Sequence, residues 1–349
     1  MLWTDIIDPA DLTGYARASL EEYEASRGTL ARWLPNRMVN DIIARFVKGS
    51  TGLVNVAQFR AYDAEPEVGK RRPKNRVILE LPALGQDIPV TEYEQLRLRG
   101  GDLNDELALA TIQDATDTVV RAVADAIERM RGIVLATGKA TIDQENFQSD
   151  DDFGRPAEHD VVADDDWSDP AVSRLEFLQA IVDTYIDTTG SEPGAIVMGN
   201  RVFRALGQGD EFATQLLNGA QRPATEQQVR DTISGAGFPE IVKYDRRVSV
   251  DDVTTRVLPD NLLLLLPAPV DPSDYQGTDL GATFWGRTLT STDADWGIED
   301  SEQPGLVAGV YRNEKPPMGV EVISDAIGLP VLANADRSLA AQVLDVEGS

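Results

Sequence analysis

The sequence predicts an α+β fold organised around one long helix. Residues 102–138 carry apolar side chains at helical spacing, Asp102 is suited to cap the start of the helix, and Gly138 is suited to end it. A helix of this length spans roughly 50 Å, far more than an ordinary globular helix. β-rich segments precede and follow it, and residues 169–275 alternate between helical and strand patterns. These observations indicate a spine helix flanked by strands and followed by a compact α/β region.

The spine helix has one predicted buried face and one charged face. On the charged face, Asp117 precedes Arg121 and Asp125 precedes Arg129 by four residues, the favourable order for ion pairs within a helix. We therefore expect both pairs to form. The buried face is predicted to consist of Leu103, Leu107, Ile112, Val119, Val123, Ile127, Met130 and Val134.

The charge and the cysteine count exclude several classes of protein. The chain has 349 residues, a net charge of −27 and no cysteine. Such acidity argues against a nucleic-acid reader, which needs a basic face. Without cysteine there is no disulfide, thiolate metal site or cysteine nucleophile. The longest apolar run, residues 262–269, is too short to span a bilayer and is predicted to be a buried strand.

Residues 1–50 are predicted to be an N-terminal arm with short helices. The first helix begins at Ala10, and a second covers residues 32–48, with Pro35 near its start. The apolar positions of the second helix are Met38, Ile42, Ile43 and Phe46.

Residues 51–95 are predicted to form a β tongue, which is a pair of strands joined by a charged tip at residues 65–76. A lone two-stranded hairpin is marginal in water, so a long one implies a partner surface. The alternatives are a solvated basic loop and a nucleic-acid-binding tip, the latter disfavoured because aromatic residues for stacking are absent. The candidate intersubunit contacts are Glu65, Glu67, Lys70, Arg71, Arg72, Lys74 and Arg76.

The rest of the chain divides into three predicted parts. Residues 96–168 hold the spine helix, then strand-like pieces between acidic turns at 150–152 and 164–166. Residues 169–275 form the α/β region, in which Asn200 caps a helix and an acidic hairpin at Asp251 and Asp252 joins strands of one sheet. Residues 276–349 return to strands that pack on the spine helix.

The sequence contains no recognisable set of catalytic, cofactor-binding or metal-binding residues. His159, the sole histidine, lies in an acidic turn without a recognisable Ser-His-Asp arrangement, and we predict that it is a surface residue. One histidine excludes a multi-histidine metal site. The acidic runs lack the EF-hand pattern, and the glycine pairs at 207–212 and 235–240 complete no nucleotide-binding fingerprint. The sequence therefore favours a structural protein over an enzyme.

Four segments, taken in their order, resemble a known family. They are ERMRGIVLATGK at 128–139, WSDPAVSRLEFLQAIVDTYIDTTGSEPGAIVMGNRVFRAL at 167–206, LPDNLLLLLP at 258–267 and EKPPMGVEVISDAIGLPVLANADRSLAAQVLDV at 314–346. Together they are similar to the lambda-type "major capsid protein E" family of tailed bacteriophages, which has the Hong Kong 97-type fold. Residues 1–101 share only the layout.

The resemblance implies a fold and a set of partners. In the terms of that fold, residues 1–50 would be the N-arm, 51–95 the extended loop, 96–168 the peripheral domain, 169–275 the axial domain, and 276–349 the strands returning to both. Hexamers and pentamers would build an icosahedral shell around double-stranded DNA in the virion, assembled in the bacterial cytoplasm without a membrane. A separate scaffolding protein, a portal protein at one vertex and a decoration protein are the implied partners. Lys70, Lys74 and Asn75 are not predicted to form covalent cross-links, because no acidic catalyst is identifiable.

Two rival functions stay open from the sequence. An encapsulin-like cellular compartment would use the same fold to enclose enzymes, and its contents would distinguish it from a phage head. An acidic metal-dependent hydrolase would depend on His159 and the acidic run at 150–152.

Overall fold

The computed structural model describes residues 7–48, 75–93, 105–144, 147–217, 224–272, 278–313 and 318–345, together with residues 2, 315 and 316. Its helices and strands alternate in the mixed α+β arrangement that the sequence predicts. The helices are α1 Pro9–Arg27, α2 Asp105–Thr137, α3 Arg174–Thr189, α4 Asn200–Gly207, α5 Asp210–Leu217, α6 Glu226–Gly235 and α7 Leu289–Thr292. Short 3₁₀ turns cover Leu30–Arg32, Ala157–His159, Ala294–Trp296 and Ala335–Arg337.

Sixteen strands have bounds within the described residues. They are β1 Asn36–Met38, β2 Ile43–Lys48, β3 Asn75–Glu80, β4 Ala83–Val90, β5 Lys139–Gln144, β6 Phe147–Asp152, β7 Asp160–Val162, β8 Ala195–Met198, β9 Glu240–Lys243, β10 Arg247–Val250, β11 Val253–Arg256, β12 Leu262–Leu266, β13 Gly281–Trp285, β14 Val307–Arg312, β15 Val320–Leu332 and β16 Leu339–Gln342.

The predicted spine helix is α2, which runs unbroken over 33 residues. Residues 102–104, including the predicted cap Asp102, lie outside the described residues. Gly138 ends the helix with φ at +71°, a conformation that suits glycine. The predicted apolar face is buried at Ile112, Val119, Val123, Ile127 and Val134, and Met130 packs against the core. The backbone of Val257 comes so close to Gly132 that a Cβ there would lie 2.2 Å from its carbonyl oxygen.

The predicted ion pairs within the spine helix are wrong. Among the described residues, Asp117 instead accepts hydrogen bonds from Tyr15 and Ser19 of α1, at 3.1 and 2.7 Å. Asp125 pairs with Arg246 at 2.7 Å. An ion pair between side chains four residues apart stabilises a helix by only about 0.2–0.5 kcal/mol. Partners on other elements, held close by packing, therefore take these carboxylates instead.

One five-stranded sheet packs on the spine helix. Its order is β1-β13-β15-β14, and β4 also pairs with β15, from Ala83 opposite Ile327 to Val90 opposite Val320. Helix α2 contacts β15 and β4, while α1 contacts α2 and β14. The shared core between these elements includes Leu12, Val119, Val123, Ile127, Trp285, Val310 and Val322.

A second five-stranded sheet, in the order β7-β16-β12-β8-β9, forms the α/β part of the molecule. The predicted buried strand is its centre, because β12 lies antiparallel between β8 and β16 and is almost wholly buried. Helix α3 begins at its cap Ser173 and ends at Gly190 in the left-handed conformation. The core beside this sheet includes Trp167, Leu178, Tyr185, Phe203, Phe212, Leu263 and Leu265.

The predicted helix over residues 32–48 is wrong, since this segment forms β1 and β2. The chain after Pro35 runs parallel to β13, and Thr283 N donates to Pro35 O at 2.9 Å. Strand β2 then pairs antiparallel with β3, opposing Ile43 to Glu80 and Lys48 to Asn75. Pairing with distant strands overrides a weak helical spacing that only four apolar positions supported.

Three smaller details also differ from the sequence predictions. Gly199, not Asn200, is the cap of α4. Residues 150–152 belong to β6 instead of a turn. The hairpin at Asp251 and Asp252 does form, with φ of 50° and 62°, but its strands β10 and β11 make a sheet of their own. No helix within the described ranges is long and apolar enough to cross a membrane.

A charge on the buried face of the spine helix should prevent folding. Val123 is 3% exposed between the helix and the first sheet, so Val123→Asp is expected to cost at least about 4 kcal/mol of the free energy of unfolding. Ala126→Asp places the same charge on the exposed side of the same helix and serves as the control. Urea unfolding followed by circular dichroism measures both. Equal stability of the two variants would show that the buried face is misassigned.

Candidate functional site

A two-stranded ribbon, which consists of β2 and β3, is the candidate assembly surface. Its two faces differ in burial because alternate residues of a strand point to opposite sides. Ala44 and Leu79 lie opposite each other and are buried against the core. Arg45 and Ile78 form the next pair, on the other face, and both are exposed. The ribbon thus presents a solvent-facing surface of mixed apolar and basic character.

Apolar side chains continue this surface at the base of the ribbon. Ile78 is 63% exposed, and Ile42, which directly precedes β2, is 46% exposed. Leu81 N donates to Ile42 O at 2.9 Å, so the two strands are also joined just beyond the pair Ile43 and Glu80. Arg45 pairs with Asp41 at 3.0 Å beside them. Exposed apolar residues in one neighbourhood are typical of a contact surface.

Of the seven predicted contact residues, only Arg76 belongs to the described part of the chain. Glu65, Glu67, Lys70, Arg71, Arg72 and Lys74 fall within residues 49–74, outside the described part of the chain. Arg76 is in β3, at the register position opposite Val47. Lys48 and Asn75, the residues on either side of 49–74, lie opposite each other at the end of the ribbon.

A buried polar junction holds the elements behind the ribbon in place, and Arg131 of the spine helix is its centre. This side chain is fully buried. Its guanidinium pairs with Glu24 of α1 at 2.7 Å and with Glu128 at 3.0 Å. It also donates to Asn36 Oδ1 at 2.6 Å and to Thr283 Oγ1 at 2.9 Å, in β1 and β13. One cation therefore joins two helices and two strands.

Glu128 carries the junction towards the α/β part. Its carboxylate accepts hydrogen bonds from Leu30 N at 2.8 Å, Thr29 Oγ1 at 2.9 Å and the Tyr244 hydroxyl at 2.5 Å. Burial alone would raise the pKa of this carboxyl, but Arg131, Tyr244 and Leu30 outweigh it, so the pKa of Glu128 lies below its usual range. Burial and the neighbouring carboxylate raise the pKa of Tyr244. Glu128 is therefore an ion at neutral pH although it is buried.

Arg246 extends the same junction to the surface. It pairs with Asp125 at 2.7 Å and donates to the Gly28 carbonyl at 3.3 Å. Its guanidinium also lies 5.1 Å from the centre of the Tyr23 ring, within cation–π range. The end of α1, the middle of α2 and the segment before β10 are thereby connected by charged hydrogen bonds.

A second junction closes the C-terminal end of the spine helix. Arg155 donates to the carbonyls of Leu135 and Ala136, at 2.5 and 3.0 Å, and pairs with Asp160 at 3.0 Å. A cation at this end is favourable because the last carbonyls of a helix lack intrahelical partners. His159 lies beside it, and the prediction of a surface histidine is wrong, since its side chain is fully buried.

The chemistry of these groups is structural. Arg131, Glu128 and Arg155 are buried ions with fixed partners, so the role of both junctions is to hold elements in one arrangement. Among the described residues, no group of three or more Asp, Glu or His could hold a metal ion.

The sequence prediction missed these buried ions. Arg131 lies one residue after Met130, on a helix read only for its apolar stripe. The available signal was that Glu128 and Arg131 interrupt this stripe at a spacing of three, among Ile127, Met130 and Val134. Arg155 gave no signal, because its partners are backbone carbonyls.

The chain is similar to known proteins both in sequence and in fold. The sequence model of the family described as "Phage major capsid protein E" matches residues 44–274, more than half of the chain. No curated protein sequence matches the chain.

Two solved structures are similar over almost the whole chain. One is described as a capsid protein of a prophage of E. coli CFT073; it shares 14% identity with a TM-score of 0.62, covering 95% of this chain and 98% of that chain. The other is a phage-related protein from Bordetella bronchiseptica RB50, with 14% identity, a TM-score of 0.58 and coverage of 95% and 96%. At these identities the two similarities establish a shared fold.

Removing the central cation should destabilise the subunit far more than removing a surface cation. Arg131→Met leaves two carboxylates without their buried partner and is expected to cost about 3–5 kcal/mol of the free energy of unfolding. Arg201→Met is the matched control, because Arg201 also pairs with two carboxylates, Asp260 and Asp345, but is exposed. It should cost about 1 kcal/mol or less. Urea unfolding measures both, and equal losses would refute a special role for the buried junction.

Proposed function

Because the chain belongs to the phage major capsid protein E family, and is therefore a structural virion protein that forms the shell of a phage head, we propose that it assembles as hexamers and pentamers into an icosahedral shell around double-stranded DNA. The observation that carries the arrangement is the ribbon, whose exposed face has no packing role within the described subunit. A two-stranded ribbon that packs on its own core by one face alone gains stability when a neighbouring copy covers the other face.

The described elements correspond to the parts of a Hong Kong 97-type subunit in the following way. The spine helix α2 and the first sheet are the peripheral domain, and the second sheet with α3 to α6 is the axial domain. The extended loop is residues 43–80, with the ribbon as its base. Strands β13 to β16 return to both domains, since β13, β14 and β15 are in the first sheet and β16 is in the second.

Contacts between subunits are proposed at two places on the extended loop. The first is the outer face of the ribbon, with Ile78 and Arg45. The second is the charged tip, whose candidate residues are Glu65, Glu67, Lys70, Arg71, Arg72, Lys74 and Arg76. The tip combines basic residues with a strongly acidic whole chain, so an acidic surface of a neighbouring copy is its complementary partner.

The acidity of the chain suits a container for DNA. With a net charge of −27 per subunit, the shell repels phosphate groups overall and encloses DNA without gripping it. A separately encoded scaffolding protein, a portal protein at one vertex and a decoration protein are the further partners proposed, on the ground of family membership. Electron cryomicroscopy of the purified protein, alone and with a co-expressed scaffold, tests this assembly. Closed shells with hexamers and pentamers are expected, whereas a protein that stays monomeric in both samples would refute it.

A charge on the outer face of the ribbon should block assembly without unfolding the subunit. Ile78→Asp is expected to lower the yield of shells at least tenfold, because it places an unpaired charge in a contact surface. Val253→Asp is the matched control, as Val253 is 64% exposed in the separate hairpin of β10 and β11. Negative-stain microscopy counts shells, and circular dichroism confirms folding. Shell yields for Ile78→Asp equal to those of the control would exclude the ribbon as a contact.

A further inference from the structure

His159 is buried where β7, α3 and the start of β16, which are distant from one another in sequence, come together. It ends the 3₁₀ turn Ala157–His159 directly before β7. Its ring stacks on Tyr185 of α3, with centroids 6.0 Å apart and planes 17° apart. Its Nδ1 lies 3.1 Å from the carbonyl oxygen of Ser338, which directly precedes β16. The side chain is fully buried.

The hydrogen bond to Ser338 determines which ring nitrogen carries the proton. A carbonyl oxygen only accepts hydrogen bonds, so Nδ1 must be the donor. In the neutral ring, Nε2 then has a lone pair and no proton. Among the described residues, Nε2 is buried and has no hydrogen-bond partner. A proton added at Nε2 would therefore create a buried N–H group and a positive charge without an acceptor.

The charged groups around the ring act in opposite directions on its protonation. Arg155 closes the end of the spine helix and pairs with Asp160. Its guanidinium opposes a positive charge on His159. The hydrogen bond to Ser338, Asp336 of the 3₁₀ turn before β16 and the neighbouring Glu158 favour that charge, but burial together with Arg155 outweighs them and lowers the pKa of His159.

The groups on α3 and on the turn before β16 complete the surroundings. Tyr185 donates its hydroxyl proton to the Arg337 carbonyl at 3.2 Å, and burial raises its pKa to about 12, so it stays neutral in the acid range. Arg337 pairs with the exposed Asp279 at 3.0 Å. Neither group supplies an acceptor for Nε2.

We propose that His159 is an acid-sensitive joint between the spine helix and the second sheet: protonation of Nε2 in acid separates Arg155, β7 and β16 from one another. The reason is geometric, since the imidazolium would have to leave its pocket or draw an acceptor into it. Leaving would break the hydrogen bond to Ser338 and the stack on Tyr185. The hydrogen bond holds the start of β7 beside the start of β16, where Asp160 lies opposite Ala340, and the stack holds it against α3.

The sign and the pH range of the effect follow from linkage. Burial lowers the pKa of His159 below its ordinary value of about 6.5, so the unfolded chain binds this proton more readily than the folded chain. Stability is therefore complete above about pH 6.5 and falls as the pH drops below it. The depressed pKa of Glu128 acts at lower pH, because an ordinary glutamate titrates near pH 4.3.

The test compares the full-length chain with His159→Asn. The Nδ2 amide of asparagine can keep the hydrogen bond to Ser338, but it does not titrate. Between pH 7.5 and pH 5.5, the unfolding equilibrium constant of the unmodified protein should rise more than that of the variant, by about threefold to tenfold, the ceiling for one histidine one unit below pH 6.5. Equal changes in both proteins would overturn the proposal.

A local measurement on the unmodified protein keeps the proposal testable if the variant fails to fold. Hydrogen exchange, corrected for the intrinsic effect of pH, should show lost protection at pH 5.5 in residues 155–163 and 335–342, with strand β8, which pairs with neither β7 nor β16, unchanged. The sole histidine also gives a single, directly assignable Hε1 ring-proton resonance in NMR. Its titration midpoint should lie below 6.5. A midpoint at or above 6.5, or unchanged protection in both segments, would exclude an acid-sensitive joint here.

Discussion

The burial of Arg131 among two carboxylates is the constraint on which the arrangement of the subunit depends. Removing ions from water is costly, and the cost is met only when every donor and acceptor has a partner in good geometry. Those partners come from α1, α2, β1 and β13, so the four elements have one arrangement that satisfies the ions together. Apolar packing against the spine helix tolerates small shifts, but this junction does not. The base of the ribbon inherits its position from β1, the strand that Arg131 holds through Asn36.

The two sheets share the spine helix in different ways. The first sheet covers its apolar face, where Val119, Val123 and Ile127 meet Val310 and Val322. The second sheet is joined to its C-terminal end by Arg155, which reaches the last carbonyls of the helix while pairing with Asp160 of β7. The last turns of the helix also pack against the second sheet, because Val134 and Leu135 share an apolar core with Val197 of β8 and Leu264 of β12. Apolar packing is thus common to both connections, and the Arg155 junction adds charged hydrogen bonds at the second.

Much of this fold could be predicted from the sequence, because the strongest patterns are local. The spine helix has long periodicity and a glycine stop, and the run Leu262–Leu266 is apolar enough to read as a buried strand. Residues 32–48 could not be predicted, since their strand structure comes from pairing with β13 and β3, far away in sequence. His159 was misplaced for a related reason: acidic neighbours suggested a surface turn, whereas its burial comes from Tyr185 and Ser338. The sequence predicts a β tongue that starts at residue 51, whereas the first strand of the ribbon begins at Ile43.

The order of strands in the first sheet has a consequence for synthesis of the chain. Within the part of the chain that the structure describes, strand β4 at residues 83–90 pairs only with β15 at residues 320–327, and β1 pairs with β13 at residues 283–285. The N-terminal strands therefore have no partner in that sheet until nearly the whole chain has left the ribosome, and such distant pairings form slowly. Strand β1, from which the chain enters the ribbon, is therefore fixed in place only after β13 has been synthesised. Until then the unpaired edges of β1 and β4 are open to pairing with other chains, so late completion of this sheet favours aggregation of unfinished subunits.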